Sequence, residues 1–388
     1  MMKVAFVTSG YPPVSPGGAG VSSQLIVRQL RARGVTVHVY GIIGENRELC
    51  RAGSGTWHLP KGELYPGPKT IGENLSAYRH LPRLDTYDLV HVYNVRHIPA
   101  CVLRSDSPVV ATFNNHMWVC IDAVQHLREG TPECGLRRDL RYAGTEGYTG
   151  LARIGRVAVH YVGRHFARQV DAATVQTGGM KRVMETCGYD VDDITVVPNL
   201  VDPAFEGEPK NGNTVLFVGR LREEKGPQMV VRAFASLPEE IKREWKLELV
   251  GDGPLREEVE RAVRTLEIPE ATVGYRPYSE LPDVYRSAGL LVHASRFTEP
   301  FSRCWLEAMA SGTPILCSRN PGSSSVLSGV AEFYDPFDVE DLTAGLERCL
   351  RSPSRREAMA TRGSERVGRY DAETVVGGYV DVYRNTIE

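Results

Sequence analysis

No run of apolar residues in this sequence approaches the roughly 20 that a membrane-spanning helix needs. Only Val4 to Val7 stand between Lys3 and Thr8, too few for the core of a secretory leader. Neither sign of charge dominates: 46 Lys and Arg meet 48 Asp and Glu, a net −2. No global excess exists to neutralise a nucleic-acid backbone, so any anion site must be local. The eight cysteines (50, 101, 120, 134, 187, 304, 317 and 349) are scattered, with no C-x-x-C pair and no disulfide framework. A reducing compartment is therefore expected and the protein is read as cytoplasmic, touching a membrane at most peripherally. Low-complexity tracts are absent as well, and 42% hydrophobic with 24% charged residues excludes a disordered chain.

What is present is a chain of 388 residues, long enough for two domains. Short β-branched runs alternate with amphipathic segments of helical length, the pattern of a parallel sheet with crossover helices, so the class is α/β. Strands are predicted over 3–9, 35–41, 89–93, 109–113, 172–176 and 194–197, with a helix over 22–33 closed by Gly34. After a polar stretch at 202–213, read as a linker from Pro203, Gly207, Pro209 and Gly212, the series restarts with strands at 215–218, 247–250, 271–273, 290–293 and 315–317. A last helix is predicted over 372–387. Two doubly wound halves follow from this arrangement.

Open α/β sheets bind ligands beyond the carboxyl ends of their strands, so the loops there carry the chemistry. Pro16-Gly17-Gly18-Ala19-Gly20 precedes a helix, where missing side chains let backbone N–H groups and the helix's positive end approach an anion. A surface turn explains the same glycines. A dinucleotide fingerprint does not, since the run is displaced from the first strand and no acid ends the second. In Gly219-Arg220-Leu221-Arg222-Glu223-Glu224-Lys225-Gly226, two cations beside a helix start suit a diphosphate, where a solvated charged turn is the alternative. Gly251-Asp252-Gly253-Pro254 is a tight turn that lets a ligand close on the backbone. In Glu299-Pro300-Phe301-Ser302-Arg303-Cys304-Trp305-Leu306-Glu307, two carboxylates lie two helical turns apart, and Glu307 on an apolar face needs polar partners such as ribose hydroxyls. The N–H groups of Phe301 to Arg303 are open to a phosphate.

These loops, in this order, together with Val197-Pro198-Asn199-Leu200-Val201-Asp202 and Asp335-Pro336, resemble glycosyltransferase family 4, the retaining, nucleotide-sugar-dependent transferases of GT-B fold. The resemblance implies two facing Rossmann-like domains. Residues 1–198 would lie on the acceptor side, 199–371 would bind the donor, and the helix at 372–388 would cross back onto the first. It implies that Arg220 and Lys225 hold the donor diphosphate, Glu307 the ribose and Glu299 the transferred sugar. Phe301, Ser302 and Arg303 would lend backbone amides, Gly251 would lie close to the ligand, and the segment with Tyr275 and Arg276 would read the base. Gly17 and Gly18 would close over the diphosphate. The expected donor is a UDP- or GDP-sugar and the acceptor a hydroxyl of a glycan, glycolipid or small metabolite. Transfer would proceed with retention, needing no protein nucleophile, no further cofactor and no metal.

Two departures stand out. Relatives carry a His near the donor sugar where this chain has Asn114, with Asn115 next and His116 two residues on; any of the three is an acceptor-side candidate, and His116 is counted with Arg220, Lys225 and Glu299 as catalytic. Ser325 replaces a Glu in the second-domain loop from Pro321. Asp190-Val191-Asp192 has the D-x-D pattern of metal-dependent transferases, but turn chemistry accounts for it. Arginines 137, 138, 141, 153, 156, 164 and 168, opposed by Asp139 and Glu146, make a basic segment, and Arg153, Arg156, His160, Arg164 and Arg168 recur at helical spacing. Peripheral contact with an anionic membrane is expected there. A non-hydrolysing nucleotide-sugar epimerase, a catalytically idle nucleotide-sugar binder and, against the missing fingerprint, a dinucleotide-dependent oxidoreductase are the competing readings.

Overall fold

Runs such as Leu89–Tyr93 and Val109–Phe113 are apolar or β-branched at nearly every position because they become strands buried on both faces. The computed structural model describes residues 2–12, 17–44, 50–51, 55–60, 69–121, 134–145, 150–210, 212–268 and 270–388. They divide into two compact units, Met1–Leu200 with Ala372–Glu388, and Val201–Asp371. Pro16 and Glu146 lie outside the described residues.

The first unit contains β1 (Lys3–Thr8), β2 (Thr36–Gly44), β3 (Cys50–Arg51), β4 (Thr56–Pro60), β5 (Leu89–Tyr93), β6 (Val109–Phe113), β7 (Ala172–Val175) and β8 (Ile194–Val196). Their order is β3-β4-β2-β1-β5-β6-β7-β8, parallel throughout except for β3 against β4. The helices are α1 (Gly18–Ala32), α2 (Lys69–His80), α3 (Ile98–Arg104), α4 (Leu136–Thr145), α5 (Gly150–Ala167) and α6 (Gly178–Thr186). Ala77 of α2, Ala100 and Cys101 of α3, Ala167 of α5 and Met180 of α6 join Val7, Val92 and Ala111 in one core, so these helices cover one face of the sheet.

The second unit has β9 (Thr214–Val218), β10 (Lys246–Val250), β11 (Ala271–Gly274), β12 (Leu290–His293), β13 (Ile315–Ser318) and β14 (Glu332–Tyr334), in the order β11-β10-β9-β12-β13-β14 and all parallel. Its helices are α7 (Pro227–Ala235), α8 (Glu239–Glu244), α9 (Arg256–Thr265), α10 (Leu281–Ser287), α11 (Arg303–Ala310), α12 (Pro321–Leu327), α13 (Val339–Leu350) and α14 (Pro353–Val367). The stretch expected as a linker is partly packed: Asp202 caps a short turn at Pro203–Phe205, and Phe205 is buried against the rings of Tyr278 and Tyr285, at 5.4 and 5.6 Å. Its proline and glycine content marked a turn, and the apolar ring inside it decides where that turn sits.

The last helix, α15 (Ala372–Ile387), returns to the first unit and packs beside α1. Its Tyr383 hydroxyl meets His91 Nδ1 at 2.6 Å, and His91 Nε2 meets Thr112 Oγ1 at 2.7 Å, which in turn meets Thr174 Oγ1 at 2.8 Å. A histidine buried in mid-sheet is tolerated because both ring nitrogens are satisfied. The cysteines differ from expectation: Cys134 and Cys187 are joined in a disulfide, with Cα atoms 4.7 Å apart. Their sequence separation of 53 hid that proximity from the sequence.

Burial drives three histidines of this unit down, His91 and His97 to about 3 and His160 to about 4. The unfolded chain binds protons near pH 6.5 that the folded one refuses, so stability falls as pH drops from there toward 3 to 4. The expected loss is about 1.4 kcal/mol per pH unit for each histidine. Both ring nitrogens of His97 are buried without a hydrogen-bond partner. His97→Leu should therefore remove one histidine's share of the acid sensitivity without loss of stability at pH 7.5. Urea melts at pH 7.5 and 5.5 measure this, and an unchanged slope in the variant would refute it.

Candidate functional site

The loop after β9 is stitched to the one after β10: the Gly219 amide donates to the Val250 carbonyl (3.0 Å) and the Leu221 amide to the Asp252 carbonyl (2.9 Å). This leaves Arg220 exposed beyond the strand's carboxyl end, in no ion pair with another described residue. Lys225 ends a short turn before Gly226, which is left-handed at φ 67° and abuts the Ala294 carbonyl so closely that a side chain there would collide. That contact ties the lysine's loop to the end of β12. The Lys225 ammonium donates to Glu299 Oε2 at 2.6 Å and sits 4.8 Å from the Phe297 ring centre. Glu299 also accepts from Ser295 Oγ at 2.8 Å and faces His293 Nε2 at 3.8 Å.

Burial pushes the Glu299 carboxyl up, but the Lys225 charge, His293 and the hydrogen bonds from Lys225 and Ser295 outweigh it, holding the group below its ordinary range. Glu299 is therefore an ionised carboxylate at neutral pH. His293 is pushed down to about 4 by burial, partly opposed by Glu299, and stays neutral.

Glu307 stands on α11 with both oxygens engaged. Arg303 Nε, one turn earlier, donates to Oε1 at 3.2 Å, and the Tyr285 hydroxyl donates to Oε2 at 3.0 Å. Arg303 also donates to the Tyr278 hydroxyl at 2.8 Å, which lies 3.3 Å from Asp202 Oδ2. Burial raises the Glu307 carboxyl above its ordinary range despite the opposing Arg303 and Tyr285. Each oxygen still has a lone pair for a ligand hydroxyl.

The other expected residues fall as follows. Gly251 presses on Gly219, where a β-carbon would lie 1.8 Å from its carbonyl oxygen. The Tyr275 ring is exposed, while Arg276 pairs with Glu248 at 3.4 Å and Glu280 at 3.9 Å. Phe301 is buried against Trp305 and Tyr370, and Ser302 begins α11 without a side-chain cap. Ser325 donates to the Pro321 carbonyl at 2.9 Å. In the first unit, Gly17 and Gly18 are exposed at the start of α1, four residues earlier than the helix was expected to begin. Asn115 Nδ2 donates to Asn114 Oδ1 and to Asn94 Oδ1, both at 3.1 Å, and His116 is buried just beyond. Asn94, at the end of β5 with φ 87°, was not foreseen; a lone Asn after a strand carries no signal until its backbone angle is known.

The basic segment needs correction. On α5, His160 and Arg164 are buried: His160 Nδ1 meets the Met117 carbonyl at 3.0 Å, and the Arg164 guanidinium lies over Tyr161 and Tyr189. The exposed stripe is Leu151, Ile154, Ala158 and Val162. Asp190 accepts from the Asp192 amide at 3.2 Å, a turn within the D-x-D stretch.

Residues 16–205 match Glycosyltransferase Family 4, and residues 201–366 match Glycosyl transferases group 1. Mannosylfructose-phosphate synthase of Agrobacterium fabrum is 35% identical over 176 residues, 42% of this chain and 37% of that protein, so the match spans well under half of that relative's length. Among solved structures, sucrose-phosphate synthase of Thermosynechococcus elongatus has a TM-score of 0.77 at 18% identity, covering 99% of each chain. HepE of Anabaena, solved with UDP and glucose, has a TM-score of 0.70 at 16% identity, covering 99% of this chain and 100% of that one. Both likenesses concern the fold. Taken with two successive parallel sheets and the loops that end them, the matches place the chain in glycosyltransferase family 4, with the GT-B fold.

Proposed function

We propose that the protein is a retaining hexosyltransferase that moves a sugar from a UDP- or GDP-sugar to a hydroxyl acceptor, without a metal. The observation that carries this reading is the Lys225–Glu299 pair at 2.6 Å, a cation and an ionised carboxylate at one sheet edge, next to the exposed Arg220. Arg220 and Lys225 take the diphosphate as it leaves. Pre-placed cations there stabilise the charge that develops in the transition state without reorganising. Glu307 takes the ribose hydroxyls, held in one rotamer by Arg303 and Tyr285. Glu299 takes sugar hydroxyls, and the amides of Phe301, Ser302 and Arg303 take phosphate oxygens. Gly251 allows close approach, and the backbone at Tyr275 and Arg276 meets the base. In the first unit, the diphosphate-binding role is assigned to Gly17 and Gly18, and the sugar and acceptor roles to Asn114, Asn115 and His116. The solved relative bound to UDP and glucose supports the donor class. The acceptor is a glycan, a glycolipid or a small metabolite, and peripheral membrane contact through residues 137–168 belongs to the same reading.

Melting against UDP, GDP, ADP, TDP and NAD is the test. A specific nucleotide at a hundredfold excess over Kd adds about 2.7 kcal/mol. A shift with UDP or GDP is expected, as is an anomeric proton coupling in the product that matches the donor's. Glu307→Gln should weaken nucleotide affinity at least about tenfold, the worth of one charge-assisted hydrogen bond. A shift with NAD alone, or an inverted product, would overturn the proposal.

A further inference from the structure

Exposed large apolar side chains cluster on one layer of the first unit. On α2 they are Ile71, Leu75 and Tyr78, spaced four and three residues apart, which puts them on a single helical stripe. On α5 they are Leu151, 86% exposed, with Ile154 and Val162, each 58% exposed, and the small Ala158 fills the gap between them. Leu103, 59% exposed, lies on α3, which packs against both α2 and α5. The inner sides of α2 and α3 and Ala167 of α5 are in the sheet core, and Val157 of α5 is buried in a small cluster with Ile121 and Ala143, so these stripes turn away from the interior. Ordinary surface helices point such residues inward; on α5 His160 and Arg164 are buried beside Val157 and Ala167, and an aliphatic edge stands outside.

Within α2, α3, α4 and α5 the accessible charge is of one sign. In α2, α3, α4 and α5 the acids are Glu73 and Asp139. Both are buried: Glu73 pairs with Arg96 at 2.5 Å, and Asp139 accepts from the Tyr161 hydroxyl at 2.9 Å. Arg79, Arg137 and Arg141 are exposed, and Arg104 lies over the Tyr78 ring at 5.4 Å. A net charge of −2 for the whole chain makes this local excess a segregated one. Apolar stripes flanked by arginines, on helices whose own acids are buried, match an anionic bilayer, whose headgroups attract the guanidinium groups while its acyl boundary takes the side chains.

We propose that α2, α3 and α5 form a docking face that inserts shallowly into an anionic bilayer. This deepens the peripheral contact proposed above: the aliphatic stripes make the contact, and the arginines steer and retain it. It does not depend on the donor assignment.

Flotation of the full chain with vesicles of 30 mol% phosphatidylglycerol in phosphatidylcholine, at 0.1 M and 0.5 M salt, tests it. Wild-type protein is expected to float at both salts, more weakly at the higher. Leu151→Ser/Ile154→Ser/Val162→Ser should lose at least about tenfold in partitioning at 0.1 M salt. Arg137→Glu/Arg141→Glu should lose chiefly the salt-sensitive part. UDP or GDP melting shifts of these surface variants should equal the wild type's, which confirms folding and separates this outcome from failure of the transferase reading. No flotation of the wild type, or full flotation of the triple serine variant, would overturn the proposal. So would a dimer in solution that the triple variant abolishes, since the occupant would then be a second copy.

Discussion

Lys225→Met should lower turnover about 10²- to 10³-fold, the loss seen when one pre-placed donor is removed from a developing anion. The side chain keeps its stem and loses its charge. Turnover alone would not isolate the catalytic role, because the same change strips Glu299 of its partner. A buried carboxylate left unpaired costs about 3–5 kcal/mol, so the variant should also melt lower. Burial would then push the Glu299 carboxyl upward, no longer opposed by the lysine. Lys225→Met/Glu299→Gln separates the two effects. Neutralising both partners should recover most of the melting temperature while turnover stays depressed. Recovery of turnover in the double variant would reduce Lys225 to a counter-ion and defeat its assignment to the leaving group.

Gly322→Ala is the second large effect. At the start of α12 a β-carbon would lie 1.8 Å from the Glu299 carbonyl oxygen and 3.2 Å from that of Pro300. Both neighbours are backbone, so no side chain can swing aside. Relief requires moving the segment that carries Glu299, or the helix start. Overpacking of this kind costs about 1–3 kcal/mol, and the displacement falls on the Lys225–Glu299 pair. Nucleotide titration should show affinity down at least about tenfold, with a lower melting temperature in the same variant. Unchanged affinity and melting would show that the two loops are not rigidly apposed.

The strands that could be read in advance were those made almost wholly of apolar or β-branched residues. β5, β6 and β12 have the predicted bounds because burial on both faces leaves at most a single histidine, His91 in β5 and His293 in β12, to interrupt the pattern. β4, with His58 and Pro60 among its five residues, and the three-residue β14 carry too little of that pattern. The first turn of α1 was missed because Gly18-Ala19-Gly20 is a poor helix former and no side chain caps it.

At the site, Lys225, Glu299 and Glu307 were legible as charged residues in loops that end strands. Their partners were not. Tyr285 belongs to another helix, 22 residues before Glu307, and Ser295 and His293 matter only once β12 turns toward the Lys225 loop. Arg303 was read for its amide, whereas its side chain braces Glu307. The arginine periodicity of α5 misled most. Helical spacing tells which residues share a side, and only packing against Trp118 and Tyr189 tells which side is inward.

The return of α15 to the first sheet also has a bearing on synthesis. Translation delivers β1 to β8 first, then all of Val201–Asp371, and only afterwards the helix that satisfies His91 and covers that face. The second unit holds all its strands in one uninterrupted stretch and can reach its native state while the nascent chain is still attached to the ribosome. The first must wait, with His91 Nδ1 lacking its Tyr383 partner, until α15 clears the exit tunnel. In vectorial folding, the unit whose strands emerge first is therefore the one that finishes last.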